Sequence, residues 1–110
     1  MTTRMFQKIL DDRLEEVKKV LRRKEKEYAD DDDRLIQFRK AGYLLNTSPV
    51  RSLMGMMSKH TTSLYMMAEN PTKYLKEQWH EKITDHIAYL VLLEAVLSDL
   101  IWRYEHDGEE

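Results

Sequence analysis

The stretch "NTSPVRSLMGMMSKHTTSLYMMAENPT", residues 46–72, sets the helical organisation of this chain. Its Ser48–Pro49 pair predicts a helix start, because serine accepts hydrogen bonds from free amides and proline needs no donor in the first turn. Asn70–Pro71 repeats the signal, with the asparagine as the predicted cap. Apolar residues between the two pairs recur every three or four positions, which predicts a helix over 49–69.

Three further helices are expected around this one, over 4–28, 34–45 and 72–104. In each, apolar residues spaced by three or four mark the side that faces a core. The predicted inward faces, helix by helix, are Phe6, Leu10, Leu14, Val17, Leu21 and Tyr28; Leu35, Phe38, Ala41 and Leu45; Val50, Leu53, Met57, His60, Leu64 and Met67; and Trp79, Ile83, Ile87, Leu90, Leu93, Leu97, Leu100 and Tyr104.

Together these patterns predict one all-α domain over 1–110, an antiparallel bundle of about four helices. Its core covers 4–104, and 105–110 form a frayed tail. A chain with only three glycines and two prolines has few places to turn, which favours long helices. Because a domain of 110 residues buries a limited core, we expect a homo-oligomer that covers the remaining apolar surface.

The composition also bears on the class of function. No cysteine is present, which excludes disulfides and thiolate metal sites and suits a reducing cytoplasm. The longest apolar run, 87–93, is much shorter than the roughly 20 residues that cross a bilayer. No secretion signal is expected, and a net charge of −2 argues against general affinity for nucleic acid. We expect a cytoplasmic protein without a membrane partner.

Two charged segments each have two interpretations. The basic run Lys18–Lys26 fits a solvated helix face better than a phosphate site. The segment "ADDDDR", residues 29–34, fits a solvated loop in which Asp33 caps the next helix. A divalent cation held by these clustered oxygens is the alternative, although the spacing of a calcium loop is absent.

A polar group interrupts the methionine-rich third helix. Its members are Lys59, His60 and Ser63, of which His60 lies on the apolar stripe. In one interpretation His60 is a core histidine with satisfied hydrogen bonds, and Lys59 extends to solvent. In the other, the three side chains present donors to an anion, such as a phosphate. Spacing alone favours the first interpretation.

A second polar group lies in "HEKITDHIAYLVLL", residues 80–93. Glu81 and Asp85 are four positions apart and share one helix face, with Lys82 beside them. Two carboxylates one turn apart can hold a magnesium ion, and they can equally be a solvated strip. No catalytic residue is assigned, because neither a nucleophile elbow nor a glycine-rich phosphate loop occurs.

The chain resembles a group of small phage and prophage proteins of the nucleotide-modification-associated type, which are similar to the all-α MazG and dimeric dUTPase pyrophosphohydrolases. The resemblance covers roughly residues 24–97, through "EKEYADDDDRLIQFRKAGYLLNTSPVRSLMGMMSKHTTSLYMM" and "HEKITDHIAYLVLLEAVL". The residues that carry it are Glu27, Tyr28, Asp33, Arg34 and Phe38; Met57, Lys59, His60 and Ser63; and Glu81, Lys82, Asp85, Tyr89 and Leu90.

This resemblance implies a cleft between helices in which carboxylates hold magnesium and the phosphates of a nucleotide. Glu81 and Asp85 match the outer positions of the second MazG motif, Glu-Glu-x-x-Asp, while Lys82 replaces its inner glutamate. The first motif, Glu-x-x-Glu, should fall near 55–69, where the chain has Lys59 and His60 instead. Fewer carboxylates favour binding of a nucleotide over its hydrolysis.

Three hypotheses follow. The first is a phage-encoded protein of the host bacterial cytoplasm that binds a nucleotide or small nucleotide signal, with residual magnesium-dependent pyrophosphohydrolase activity as an option. The second is a phage inhibitor that binds a host protein, such as a defence or nucleic-acid enzyme. The third is a purely structural helical subunit. The predicted ligand-binding residues are Lys59, His60, Ser63, Glu81, Lys82 and Asp85, with Glu81 and Asp85 as the candidate magnesium ligands.

Overall fold

The computed structural model describes residues 1–28 and 33–102, and these residues form an all-α bundle without strands, as predicted. The predicted frayed tail and Tyr104 lie outside the described residues. The helices are α1 Thr3–Tyr28, α2 Ile36–Leu44, α3 Pro49–Ala68 and α4 Lys76–Leu97. A 3₁₀ turn at Pro71–Lys73 precedes α4, and a π-helical turn at Ser98–Trp102 continues it.

The third and fourth helices lie side by side and run antiparallel. Thr61 meets His86 near the middle of the pair, and Leu53 shares a cluster with Val96 farther along. As the residue numbers increase along α3, the residue numbers of its contacts on α4 therefore decrease. The short α2 packs on α3, where the Ser52 hydroxyl donates to the carbonyl of Phe38.

The first helix packs on the other side of α4 and runs in the same direction. Arg13 reaches Thr84, and farther along Lys24 lies over the ring of Tyr89. Because α4 contacts both α1 and α3, its buried surface is broad rather than a single narrow stripe. Its best buried positions are small side chains, Thr84, Ala88 and Val96, which let the neighbouring helices approach closely.

The tightest part of the core lies where α2, α3 and α4 meet. Phe38, Leu53 and Val96 are almost completely buried there. Six half-buried side chains surround them: Leu35, Val50, Met56, Tyr89, Leu92 and Leu93. Burying one large aliphatic or aromatic side chain contributes about 1.5–3 kcal/mol, so this cluster holds α2 against the long helices.

One of the two predicted helix starts is confirmed. Ser48 caps α3, because its hydroxyl accepts from the amide of Arg51 at 3.1 Å, and Pro49 is the first helical residue. Asn70 makes no side-chain cap, so that prediction is wrong. The fourth helix begins at Lys76 rather than at 72, since the 3₁₀ turn and an extended segment come first.

Several predicted inward positions are exposed instead. In α1, Phe6, Leu10 and Leu14 are about half exposed, because α4 begins only opposite the middle of α1. Leu45 is 69% exposed, since α2 has already ended at Leu44. In α4 the predicted stripe is displaced, and its Leu90 and Leu100 are exposed. The stripe of α3 is correct, with its members buried or half-buried.

The segment before α2 differs from the prediction in detail. Asp33 accepts from the amide of Leu35 at 3.0 Å, but α2 begins only at Ile36 and has no side-chain cap. The same carboxylate binds Arg39 through two hydrogen bonds of 2.7 Å. Residues 29–32, which include three of the aspartates of the predicted acidic loop, lie outside the described residues.

In the described ranges, 1–28 and 33–102, no helix combines the length and apolar character that a bilayer crossing requires.

Candidate functional site

Polar and aromatic groups gather where α3 faces the middle of α4. The ring centroids of His60 and Tyr89 are 4.9 Å apart with the planes tilted by 41°. One turn away, the Thr61 hydroxyl and the His86 Nε2 atom are 2.9 Å apart and share a hydrogen bond. The predicted stripe of α3 thus carries His60 against an aromatic ring.

Burial lowers the pKa of His60 below the ordinary histidine value of 6.5, because it disfavours the charged imidazolium. Asp85 opposes this effect, while the positive charges of Lys82 and Lys24 add to it. The Nδ1 atom of His60 is buried and has no hydrogen-bond partner among the described residues. A neutral imidazole accommodates such an atom at lower cost than a charged one.

A cavity of about 240 Å³ lies on the α1 side of Tyr89. Its polar lining comprises Lys24, Arg34, Gln37 and Asp85, together with the Tyr89 ring. Its apolar lining is Val20, Leu21, Phe38, Ala88 and Leu92. The cavity therefore combines two cations, one carboxylate, one amide and an aromatic wall, which is the usual make-up of a small-ligand site.

The two cations of the cavity are held without ion pairs. The Nζ atom of Lys24 lies 5.9 Å from the centre of the Tyr89 ring, within the range of a cation–π contact. Arg34 donates to the carbonyl of Leu21 at 3.2 Å, which fixes its guanidinium between α1 and α2. Within the described residues neither cation forms a salt bridge, and the described lining holds two cations against the one carboxylate of Asp85.

A wider groove of about 960 Å³ continues from this cavity along α1 and α4. Val20, Lys24 and Asp85 line both spaces. The groove carries six carboxylates, from Asp12, Glu15, Glu16, Glu77, Glu81 and Asp85, against the cations Arg13, Lys19, Arg23 and Lys24. Its acidic character suits hydrogen-bond donors of a ligand better than a bare phosphate.

Arg13 closes the far side of the groove. Its guanidinium donates to the carbonyl of His80 at 3.2 Å and to the hydroxyl of Thr84. Thr84 is buried, so this contact satisfies a polar group in the α1–α4 interface. Arg13 therefore holds the two walls of the groove together.

The structure brings three of the six predicted ligand-binding residues close to one another. His60 is half-buried, and the charges of Lys82 and Asp85 act on its imidazole. Asp85 also lines both the cavity and the groove.

The other three predicted residues lie apart from this group. Glu81 is exposed and lines only the groove. Lys59 is exposed, and neither it nor the half-buried Ser63 lines the cavity or the groove. The binding roles of all six residues stay predictions.

Sequence reasoning missed the two cations of the cavity as ligand-binding residues. Lys24 belongs to a basic run that fits a solvated helix face, yet it lies seven positions after the buried Val17 and faces α4. That spacing was the available signal, because residues seven apart share a helix face. Arg34 carried no periodic signal, since it precedes α2.

Magnesium was the one metal that the sequence suggested. Within 1–28 and 33–102, no group of three or more histidine, aspartate or glutamate side chains is arranged to hold a metal ion. Glu81 and Asp85 remain a pair, which leaves most of the coordination of a magnesium ion to water or to ligand phosphates.

Comparison of this chain with protein-family models, with curated proteins and with solved structures finds no match. The resemblance to the phage proteins and to the MazG group therefore stays a prediction from its motifs.

Proposed function

We propose that this chain is a phage-encoded nucleotide-binding protein, with the phosphate held between Lys24 and Arg34 and the rest of the nucleotide in the adjoining groove. The observation that carries the proposal is the pair of cations in one cavity, neither of which forms a salt bridge with a described residue. The phage origin and the kinship with MazG pyrophosphohydrolases rest on the motif resemblance alone.

Charge supports a phosphate at this end of the site. A lysine and an arginine donate charge-assisted hydrogen bonds to phosphate oxygens, and arginine can do so through two parallel bonds. Asp85 is the only carboxylate that lines the cavity within the described residues. Lys82 and His60 line neither space; the charge of Lys82 acts on the His60 imidazole, which contacts Tyr89 on the cavity wall.

The size and the acidic lining of the adjoining groove support a ligand larger than phosphate. The cavity alone is smaller than the roughly 300–1,000 Å³ of ordinary small-molecule sites, so a nucleotide must extend beyond it. Asp85 and Glu81 then accept hydrogen bonds from the ribose hydroxyls or from amino groups of the base. Tyr89 adds an aromatic ring to the wall of the cavity, where it already contacts His60 and Lys24.

In the nucleotide-binding hypothesis, hydrolysis has less support than binding. A MazG-like reaction needs several carboxylates around the cation that activates water. Here Glu81 and Asp85 stand beside Lys82, whose positive charge opposes a second cation. We propose binding as the main activity, with magnesium arriving on the nucleotide if it takes part.

Isothermal titration calorimetry tests this function. Nucleoside mono-, di- and triphosphates are titrated with and without magnesium, with inorganic phosphate and the free nucleoside as controls. Binding of nucleotides well above both controls supports the proposal, and no heat for any nucleotide contradicts it. Pyrophosphate release from nucleoside triphosphates by wild type, compared with Glu81→Gln, tests hydrolysis separately.

The alternative, an inhibitor that binds a host protein, has its own observation. Tyr43, Leu44 and Leu45 are 86%, 80% and 69% exposed at the end of α2. Three adjacent large apolar side chains in solvent suit a protein contact. If no nucleotide binds, stoichiometric capture of one bacterial protein by wild type, lost in Leu44→Glu, supports this alternative.

A further inference from the structure

The first half of α1 presents an apolar face that no other described part of the chain covers. Residues 1–14 form an arm whose side chains are exposed, apart from the half-buried Arg13. Its large apolar members are 46–58% exposed: Met5, Phe6, Ile9, Leu10 and Leu14. So many half-exposed apolar side chains on two or three turns of one helix typically mark an interface.

The apolar face of this arm continues the face that packs on α4. Leu10 and Val17 are seven positions apart and share one side of α1, yet only Val17 is buried. The difference arises because Arg13 reaches Thr84, which is only the ninth residue of α4. Toward the start of α1 from that point no described part of the chain packs on this helix, so the same face is open to another helix.

The charged residues along the arm favour a second copy of the chain as its partner, in antiparallel orientation. The first ten residues carry Arg4 and Lys8 and no acid, whereas 11–16 carry four carboxylates and one arginine. A second arm laid antiparallel places the basic half of each copy against the acidic half of the other. A parallel arrangement places like charges together, which costs free energy.

We propose that two copies of this chain associate through residues 1–14 of α1, antiparallel, with the two-fold axis beside Leu10. Leu10 then meets Leu10 of the second copy, and Phe6 packs near Leu14. The same axis places Arg4 of each copy level with Glu16 of the other, so the basic first turns lie beside the acidic residues 11–16. The contact is isologous and closes as a dimer. It adjoins the groove of the proposed nucleotide site, which Asp12 and Arg13 line, but it does not rest on that proposal.

Site-directed crosslinking tests both the contact and its direction, since the chain has no cysteine of its own. Leu10→Cys and Thr3→Cys lie on the same helix side, and Leu44→Cys on α2 is the control for random collision. A disulfide needs Cα atoms within about 7 Å. In the antiparallel dimer the Leu10 positions meet this condition, while the two Thr3 positions are roughly 21 Å apart along the axis.

The dimer proposed here gives a rapid disulfide for Leu10→Cys and only the Leu44→Cys background for Thr3→Cys. Crosslinking of both α1 variants indicates a parallel pair and overturns the proposal. Crosslinking of neither above background also overturns it.

Sedimentation equilibrium supplies the second measurement. Wild type should be a dimer, Leu10→Glu should weaken association at least about tenfold, and Leu44→Glu should stay dimeric. Because Leu10 is half exposed in the single copy, circular dichroism should show unchanged helicity. A monomeric wild type, or a Leu10→Glu variant as dimeric as wild type, contradicts the proposal.

Discussion

The imidazole of His60 on α3 lies 4.9 Å from the ring of Tyr89 on α4, with its Nδ1 atom buried and without a described hydrogen-bond partner. This contact joins α3, which carries the polar group Lys59, His60 and Ser63, to the wall of the cavity at Tyr89. Burial and the charges of Lys82 and Lys24 lower the pKa of His60, and Asp85 only partly offsets them. The neutral form is therefore the one that suits the fold.

The first prediction concerns pH. Since the folded pKa of His60 lies below 6.5, the unfolded chain binds more protons between these two values, and the free energy of unfolding should fall as the pH drops below 6.5. His60→Phe keeps a ring against Tyr89 and removes this titration. Urea unfolding from pH 5 to 8 should show wild type losing stability relative to the variant at low pH. Parallel curves for the two proteins would contradict this assignment.

The second prediction compares two helical glycines. A Cβ atom added to Gly42 would lie 2.8 Å from the carbonyl oxygen of Thr47, a backbone atom that cannot move aside easily. Gly42→Ala should therefore destabilise by about 1–3 kcal/mol. At Gly55 an added Cβ meets nothing within 4 Å, so Gly55→Ala should stabilise by about 0.5–1 kcal/mol. Chemical denaturation measures both, and effects of equal sign would refute the argument.

The third prediction concerns Arg39, which joins two distant segments. Its guanidinium binds Asp33 at 2.7 Å and Asp99 at 2.9 Å, connecting the start of α2 to the turn after α4. These carboxylates raise the pKa of Arg39, with the hydrogen bonds that Arg39 donates to Asp33 as the largest cause. Because the arginine is 42% exposed, Arg39→Ala should cost only about 1 kcal/mol.

The neighbouring Lys40 supplies the matched control. It is exposed on the same helix, so Lys40→Ala should leave the unfolding midpoint nearly unchanged. At about 1 M salt, where the screening length is about 3 Å, the loss caused by Arg39→Ala should shrink. If the loss of unfolding free energy does not depend on salt, Arg39 stabilises the fold through packing and not through ion pairing.

The fourth prediction compares the two lysines among the six predicted ligand-binding residues, Lys59 and Lys82. Neither lysine lines the cavity or the groove, but Lys82 is half-buried and its charge acts on His60 beside the cavity wall, whereas Lys59 is exposed. Lys82→Ala should therefore weaken nucleotide binding more than Lys59→Ala does. Titration calorimetry of the two variants measures the difference. A larger loss for Lys59→Ala would move the site to the outer face of α3.

Local chemistry explains which parts of the fold the sequence could predict. Ser48–Pro49 determines its own helix start, because cap and first turn lie within four residues. Asn70–Pro71 looks the same in sequence, but here the chain forms a 3₁₀ turn first, and the amide of Leu75 is bound by the Gln78 side chain. The exposed arm of α1 was not predictable either, since periodicity marks an apolar face without showing where its partner ends.

The candidate site was predictable only in part for a similar reason. His60 stood out because it is a polar residue on the apolar stripe of α3. Asp85 stood out because it forms a carboxylate pair with Glu81 on one face of α4. Lys24 becomes part of the cavity only through the contact between α1 and α4, which are distant in sequence. A basic residue within a charged run gives no local sign of such a partner.

The most direct test of the central claim is the nucleotide dissociation constant of Lys24→Ala compared with that of Lys18→Ala. Both remove one positive charge from α1, but Lys18 is exposed and does not line the cavity, whereas Lys24 lines it. Since a hydrogen bond to a charged group contributes about 1.5–3 kcal/mol, Lys24→Ala should weaken binding at least about tenfold, and Lys18→Ala by less than about twofold. Equal dissociation constants for the two variants would contradict a phosphate site in this cavity.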